Sequence, residues 1–339
     1  MKKFINNVDN ILTESLSGFA LAHSDLVSLH LAPNFLTRKQ KAQNKVAIIS
    51  GGGSGHEPLH AGYIGYGMLD AACPGHVFTS PTPDQILAAA EAVHADKGIL
   101  FIVKNYAGDV MNFEMAIEML PFANIPLQSA SVLTSDDCAV MNSTYTTGRR
   151  GVAGTLIVEK CVGSLAETGA DLAVCKALGD KVNARTASIG VALTSCTVPA
   201  AGRPTFDIAD TEIEMGVGIH GEPGRRRETM READAIVRDM LEAILADFKG
   251  RGFDMNAPNN QEVLLLVNGF GATPLMELYL LYNAAARFFV EHGMQIAHSL
   301  VGNYTTALDM AGASITLCLL DDEMKQHWVN PVHTAALRW

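Results

Sequence analysis

The chain has 339 residues, 48% of them hydrophobic and 18% charged, with a formal net charge of -11. So much apolar side chain argues against a disordered chain and supports about two domains with buried cores. The acidic balance argues against a nucleic-acid binder, which needs clustered Lys and Arg to neutralise phosphates.

Six cysteines stand at positions 73, 138, 161, 175, 196 and 318, with no C-x-x-C pair. The scatter predicts reduced thiols in a cytoplasmic protein, with neither a disulfide framework nor a zinc site. The first residues, from Met1 to Asn7, include no long apolar region, so no signal peptide is expected. No run of about 18 apolar residues occurs, so no membrane span is expected.

In chain order, residues 46–49 form a short apolar run and predict a buried strand. Residues 85–95 carry a helical pattern. Thr82, Pro83 and Gln85 ahead of it supply an N-cap, a proline at the first position and a capping-box partner. Residues 98–103 predict a second strand and 111–120 a helix. The interval 170–186 is more polar and alanine-rich, and the domain boundary is placed there: 1–185 and 186–339. Strands are expected again at 189–193, 263–267 and 313–320, an exposed loop at 249–261 and a helix at 275–292. The alternation predicts an α/β protein of two α/β domains with largely parallel or mixed sheets.

Chemistry is sought in the loops after these strands. Ser50-Gly51-Gly52-Gly53-Ser54-Gly55-His56-Glu57-Pro58 has neither the third glycine of a dinucleotide fingerprint nor the Gly-Lys of a P-loop. Its glycines leave backbone amides open to a small ligand. Lys104-Asn105-Tyr106-Ala107-Gly108-Asp109 follows a strand, where ligands of open α/β sheets collect. Asp109 suits either that role or a helix N-cap. In Gly218-Ile219-His220-Gly221-Glu222-Pro223, Glu222 can fix one ring nitrogen of His220 and leave the other as a nucleophile. The string around His220 echoes Gly55-His56-Glu57-Pro58, so one histidine stands at a strand-to-loop junction in each half.

Other strings carry two readings each. Asn268-Gly269-Phe270-Gly271-Ala272-Thr273-Pro274 suits a ligand-facing loop or packing. Thr146-Thr147-Gly148-Arg149-Arg150-Gly151 suits an anion site or a solvated helix start. Arg225-Arg226-Arg227-Glu228 reads as an exposed helix start with local pairing, with docking of a phosphorylated partner as the second reading.

Taken together, these strings resemble the dihydroxyacetone-binding (K) subunits of dihydroxyacetone kinase. The stretches that carry the resemblance run from Ser50–Pro58 through Phe78–Asp84, Val103–Asp109, Thr147–Gly151, Cys196–Pro199 and Gly218–Gly224 to Gly271–Pro274. The resemblance implies two α/β domains with the triose between them. It implies that His220 binds the ketone carbon as a hemiaminal. His56 and Asp109 are then the acid/base candidates, and Gly53, Ser54, Gly55, His56, Lys104 and Asp109 line the triose site.

The chain shows no fused nucleotide domain before Trp339. It therefore resembles the separate-subunit form. In that form a partner L subunit holds ADP, with Mg, and a phosphodonor of the sugar phosphotransferase system recharges it. No cofactor or metal is expected on this chain, and a homodimer is. The alternative from the same family is a dihydroxyacetone sensor acting on a transcription regulator. Where the family pattern has a run of three acidic residues, this chain has Ser135-Asp136-Asp137-Cys138.

Overall fold

The computed structural model describes residues 2–94, 96–123, 125, 128–141, 146–254 and 261–339. The first part of the chain supplies helix α1 (Ile11–Ala22), then strands β1 (Val27–Leu31), β2 (Asn34–Arg38) and β3 (Ala47–Ser54). Next come β4 (Gly65–Tyr66), β5 (Ala71–Val77), helix α2 (Pro83–Val93) and β6 (Ile99–Lys104). Helix α3 (Ala107–Met119), strand β7 (Ser129–Thr134) and helices α4 (Gly154–Glu167) and α5 (Leu172–Ala184) follow. The remainder holds β8 (Thr186–Ala192), β9 (Glu212–Met215), β10 (Arg226–Thr229), α6 (Ala233–Gly250) and β11 (Glu262–Gly269). It closes with α7 (Leu275–Glu291), β12 (Gln295–Gly302), β13 (Gly312–Leu319), α8 (Asp322–Val329) and β14 (His333–Thr334).

Two six-stranded sheets result, in the orders β1-β2-β5-β3-β6-β7 and β10-β9-β8-β13-β11-β12. In the first, β5, β3, β6 and β7 are parallel and β1 and β2 antiparallel. In the second only β11 and β12 pair in parallel. A short third sheet pairs β14 with β4, returning the C-terminal end to the first part of the chain.

Strand periodicity sorts the side chains into layers. Ile49, Phe101 and Val103 face outward onto α2 and α3. Ile48, Leu100 and Ile102 face inward, where they share one core with Leu264, Leu266 and Cys318 of the second sheet. Helix α4 fills the space between the sheets and is buried from Gly154 to Ala166. Beyond the second sheet, Ile189, Leu265 and Ile315 pack against α6 and α7. The strands thus separate between Thr134 and Thr186, whereas the core runs through both sheets.

Several expectations change. The alanine-rich interval around 170–186 is mostly helix α5, because its apolar residues recur at helical spacing and bury Leu172, Cys175, Leu178 and Val182. Arg226 and Arg227 lie in strand β10, an edge strand on β9, and the helix begins only at Ala233. Both arginines are paired, Arg226 with Glu228 and Asp239 and Arg227 with Glu214. The expected loop at 249–261 begins inside α6, and residues 255–260 lie outside the described residues.

Arg149 and Arg150 form neither an anion site nor a solvated helix start. Arg149 pairs with Asp247, and Arg150 is fully buried against Asp137. The shortened acidic run is structural. Asp136 accepts from Val152 N, Gly154 N and the Ser188 hydroxyl, tying the start of α4 to β8. The Thr82 cap holds as expected, with Thr82 N donating to Gln85 Oε1 at 3.3 Å.

Close packing of α4 gives a prediction. A Cβ on Gly163 would lie 2.4 Å from Met68 Cα and 2.6 Å from Met68 O. Gly→Ala inside a helix ordinarily stabilises by about 1 kcal/mol. Gly163→Ala should instead destabilise by about 1–3 kcal/mol, the usual cost of overpacking. Urea unfolding reads the sign, and a raised midpoint would show that residue 68 can move aside.

Candidate functional site

The end of β3 and the loops after β5, β6, β8 and β9 converge on one cavity of about 840 Å³. Its walls include Gly53, Phe78, Tyr106, Asp109, Thr205 and His220. It lies at the carboxyl ends of β3 and β6, where backbone groups and loop side chains are exposed beyond the sheet.

His220 reaches the cavity because the chain leaves β9 sharply at Gly216, whose φ of +84° suits glycine. Its ring is held by Glu222. Oε1 lies 2.9 Å from His220 Nδ1, and Oε2 accepts the His220 amide at 3.0 Å. Burial pushes the Glu222 carboxyl up, but the His220 ring, its hydrogen bond and Arg150 hold it down at about 2. A carboxylate on Nδ1 fixes the Nδ1–H tautomer and leaves the Nε2 lone pair free.

Three rings enclose that imidazole edge to face. The His56 and Tyr106 centroids each lie 4.7 Å away and the Phe78 centroid 5.1 Å away. His56 stacks on Phe78, and its Nδ1 lies 2.8 Å from the carbonyl oxygen of Thr306, which must accept. His56 Nε2 therefore also carries a lone pair, and it is buried without a partner among the described residues. Burial first, then the neighbouring His220 ring and the Lys104 ammonium, keep His56 neutral to well below the ordinary imidazole range.

Asp109 is not the N-cap. Helix α3 begins at Ala107 with Tyr106 as its cap residue, which puts Asp109 in the first turn. Its Oδ2 lies 3.5 Å from Lys104 Nζ, and its Oδ1 has no partner among the described residues. Three lone-pair sites are thus unspent among the described residues: His220 Nε2 and Asp109 Oδ1 on residues of the cavity wall, and His56 Nε2, buried beside the His220 and Phe78 rings.

The other expected residues take different places. Gly53 lines the cavity. Ser54 and Gly55 line a neighbouring cavity of about 410 Å³ under α1, and the Ser54 hydroxyl donates to Gly75 O at 2.7 Å. Lys104 is buried behind Asp109 and is not part of the cavity wall. The 268–274 loop packs, with Phe270 buried and Thr273 bonded to Gly312. His60 and Glu159, which no sequence motif marks, stand behind Lys104. The available signal was Glu159-Lys160, two charges inside the apolar run from Leu156 to Val162.

Among the described residues no group of three or more His, Cys, Asp or Glu is placed to hold a metal, and no helix is long and apolar enough to cross a membrane.

Residues 17–336 match the family model described as the Dak1 domain. The chain is 47% identical to the "PEP-dependent dihydroxyacetone kinase, dihydroxyacetone-binding subunit DhaK" of Escherichia coli, covering 100% of this chain and 99% of that protein. It is 46% identical to the corresponding subunit of "PTS-dependent dihydroxyacetone kinase 1" of Listeria innocua, covering 99% and 100%. Among solved structures, the "Dihydroxyacetone kinase operon co-activator Dha-DhaQ" superposes with a TM-score of 0.87 at 33% identity, over 95% of this chain and 97% of that one. The dihydroxyacetone kinase of C. freundii superposes with a TM-score of 0.85 at 30% identity, over 99% of this chain and 60% of that longer one. The chain belongs to the Dak1 family, with the dihydroxyacetone-binding subunits of dihydroxyacetone kinase.

Proposed function

We propose that this chain captures dihydroxyacetone on His220 and presents its hydroxyl to a nucleotide-loaded partner subunit for phosphoryl transfer. The observation that carries this reading is the pair of imidazoles with assigned protons, His220 on Glu222 and His56 on Thr306. Both keep a lone pair on Nε2, and the two ring centroids lie 4.7 Å apart.

The chemistry follows from that assignment. His220 Nε2 attacks the ketone carbon, and the carbonyl π pair moves onto oxygen, which takes up a proton. Glu222 balances the charge left on the ring. Dihydroxyacetone offers little surface for binding energy, so covalent capture supplies the selection. An imidazole adds to a ketone or aldehyde and not to an alcohol, so glycerol is excluded by chemistry. The fixed terminal hydroxyl then gives its proton to His56 Nε2 or Asp109 Oδ1 as its oxygen bonds to the transferred phosphoryl group, whose bond to the partner's nucleotide breaks and leaves ADP there.

By family resemblance, the partner is an L subunit carrying ADP and Mg, recharged by a phosphodonor of the phosphotransferase system. We also propose a homodimer and a cytoplasmic setting. The six cysteines are all free and buried, which supports a reducing compartment. The second reading, a sensor acting on a transcription regulator, draws on the similar fold of the operon co-activator. The higher identity to kinase subunits supports the first.

Three outcomes test the proposal. Crystals soaked in dihydroxyacetone should show density continuous from the His220 ring to the ketone carbon, and His220→Ala should lose it. A ligand lying free in the unmodified chain would overturn covalent capture.

Asp109→Asn keeps size and a hydrogen bond, so capture should persist. If Asp109 takes the proton, turnover with the cognate partner should fall by roughly 10²–10⁴-fold. Normal turnover would leave His56 as the base, and His56→Asn is the companion measurement because paired groups need not add.

With His56 as base, kcat should stay level as pH falls through 6.5, the ordinary imidazole value, and drop only well below it. Folding stability moves in the same direction. His56 and His60 are both held neutral by burial, so the unfolded state binds more protons below pH 6.5. Stability is thus fully present above that value and is lost as pH falls towards the folded pKa. Kinetic and unfolding profiles recorded together separate the two. An acid limb of kcat above 6.5 would remove His56 from the base role.

A further inference from the structure

Behind Asp109 a chain of buried polar groups runs inward from the cavity to the middle of α4. Lys104 Nζ lies 3.5 Å from Asp109 Oδ2, 3.3 Å from Gly51 O and 3.0 Å from His60 Nε2. His60 Nδ1 lies 2.6 Å from Glu159 Oε1 and 3.0 Å from Ser50 Oγ. Asp109, Lys104, His60 and Glu159 are all buried.

The protons of this chain can be assigned from geometry alone. Ser50 has one hydroxyl proton and donates it to Ile102 O at 2.7 Å, so towards His60 it can only accept. His60 Nδ1 therefore carries the ring proton, shared between Ser50 Oγ and the Glu159 carboxyl, whose pKa burial pushes up to about 8. Nε2 is then a lone pair, which suits the facing ammonium. Lys104 has three protons and three acceptors: Gly51 O, His60 Nε2 and Asp109 Oδ2. Each is used once. The ammonium also sits against bare backbone, since a Cβ on Gly52 would lie 2.1 Å from Nζ.

Resting on the function proposed above, we propose that Glu159 and His60 are positioning residues for phosphoryl transfer. They hold the Lys104 ammonium so that it spends one proton on Asp109 Oδ2 and leaves Oδ1 of this cavity-wall residue unpartnered among the described residues. Without Glu159, only Ser50 Oγ at 3.0 Å holds the His60 ring; the Lys104 acceptor is then less firmly fixed, and its third proton can turn to the free oxygen of the carboxylate it already faces, Asp109 Oδ1. The carboxylate is then chelated, and the substrate hydroxyl loses its partner. A purely structural role explains the arrangement poorly. A carboxylate in the middle of a buried helix, with Oε2 unpartnered among the described residues, costs desolvation that an apolar residue of similar size avoids. Capture should not depend on the link, because the His220 ring is held by Glu222 from the other sheet.

The test uses the full chain with its cognate nucleotide-loaded partner and phosphodonor. Glu159→Leu removes the acceptor, and Glu159→Gln keeps it. Two readouts are taken: occupancy of the dihydroxyacetone adduct on His220 by intact mass, and kcat. Glu159→Leu should leave the adduct intact and lower kcat by about 10²-fold, the scale of a 1 Å misplacement at a reacting group. Glu159→Gln should restore most of kcat. His60→Leu cuts the same link from the β3 side and should match Glu159→Leu. It carries the test if Glu159→Leu fails to fold.

Unchanged kcat in Glu159→Leu or His60→Leu would overturn the inference. So would equal loss of adduct and kcat in both, unrestored by Gln, which marks general structural damage. The unsubstituted chain reads the parent proposal separately: absence of turnover there would strike the proposed function itself, and this inference with it.

Discussion

Helix α4 has no solvent-facing side between Gly154 and Ala166. The site depends on this constraint, since its two halves come from different sheets. His220 and Thr306 follow strands of the second sheet, whereas Gly53, His56 and Asp109 follow strands of the first. A helix that packs on both sheets at once fixes the distance between those loops to within side-chain packing tolerance. Its start is locked by Asp136, which joins the α4 amides to Ser188 of β8. The clamp stands where the chain passes from one sheet to the other. Packing also explains why Lys160, beside Glu159, is tolerated at full burial: its Nζ donates to His327 O at 2.6 Å and lies over the Trp339 ring. Burial lowers its pKa to about 8.

Within that frame the histidines are distinguished by what each Nδ1 meets. His220 meets a carboxylate, His56 a backbone carbonyl, and His60 a carboxylate and a hydroxyl. His220 lines the cavity and His56 packs against its ring with Nε2 unpartnered among the described residues, whereas His60 Nε2 is spent on Lys104. A carboxylate on Nδ1 raises the electron density of the ring, which suits His220 to attack carbon. A neutral carbonyl behind His56 gives no such support, and burial keeps its ring uncharged, which suits a proton acceptor. One side-chain type thus serves two chemical roles through its second contact.

The sequence was informative where local pattern decides structure. The strands at β3, β6, β8, β11 and β13 and the helices α2, α3 and α7 all follow from periodicity and punctuation. The echo of Gly55-His56-Glu57-Pro58 in His220-Gly221-Glu222-Pro223 pointed to two histidines that the fold brings to 4.7 Å. Long-range packing was not legible. The start of α3 was placed four residues late, so Asp109 read as a cap when it lies inside the first turn. Arg150 read as a surface cation, because nothing local shows that Asp137 and Gly216 O enclose it. Glu159 lies 99 residues from His60, and no spacing rule connects them.

The proposed capture and the proposed transfer draw on separate parts of this architecture. The groups that hold His220, namely Glu222 and Arg150 behind it, belong to the β9–β10 loop and the segment before α4. The groups that control Asp109 belong to β3, β6 and the interior face of α4. Their hydrogen bonds do not overlap: Glu222 makes none to Lys104, His60 or Glu159 among the described residues. On the proposed mechanism, substitutions on the Lys104 side would remove phosphoryl transfer while the ketone still adds to His220. A protein altered in that way would still report triose by adduct formation, and His220 would not tell it apart from a subunit that transfers phosphoryl groups.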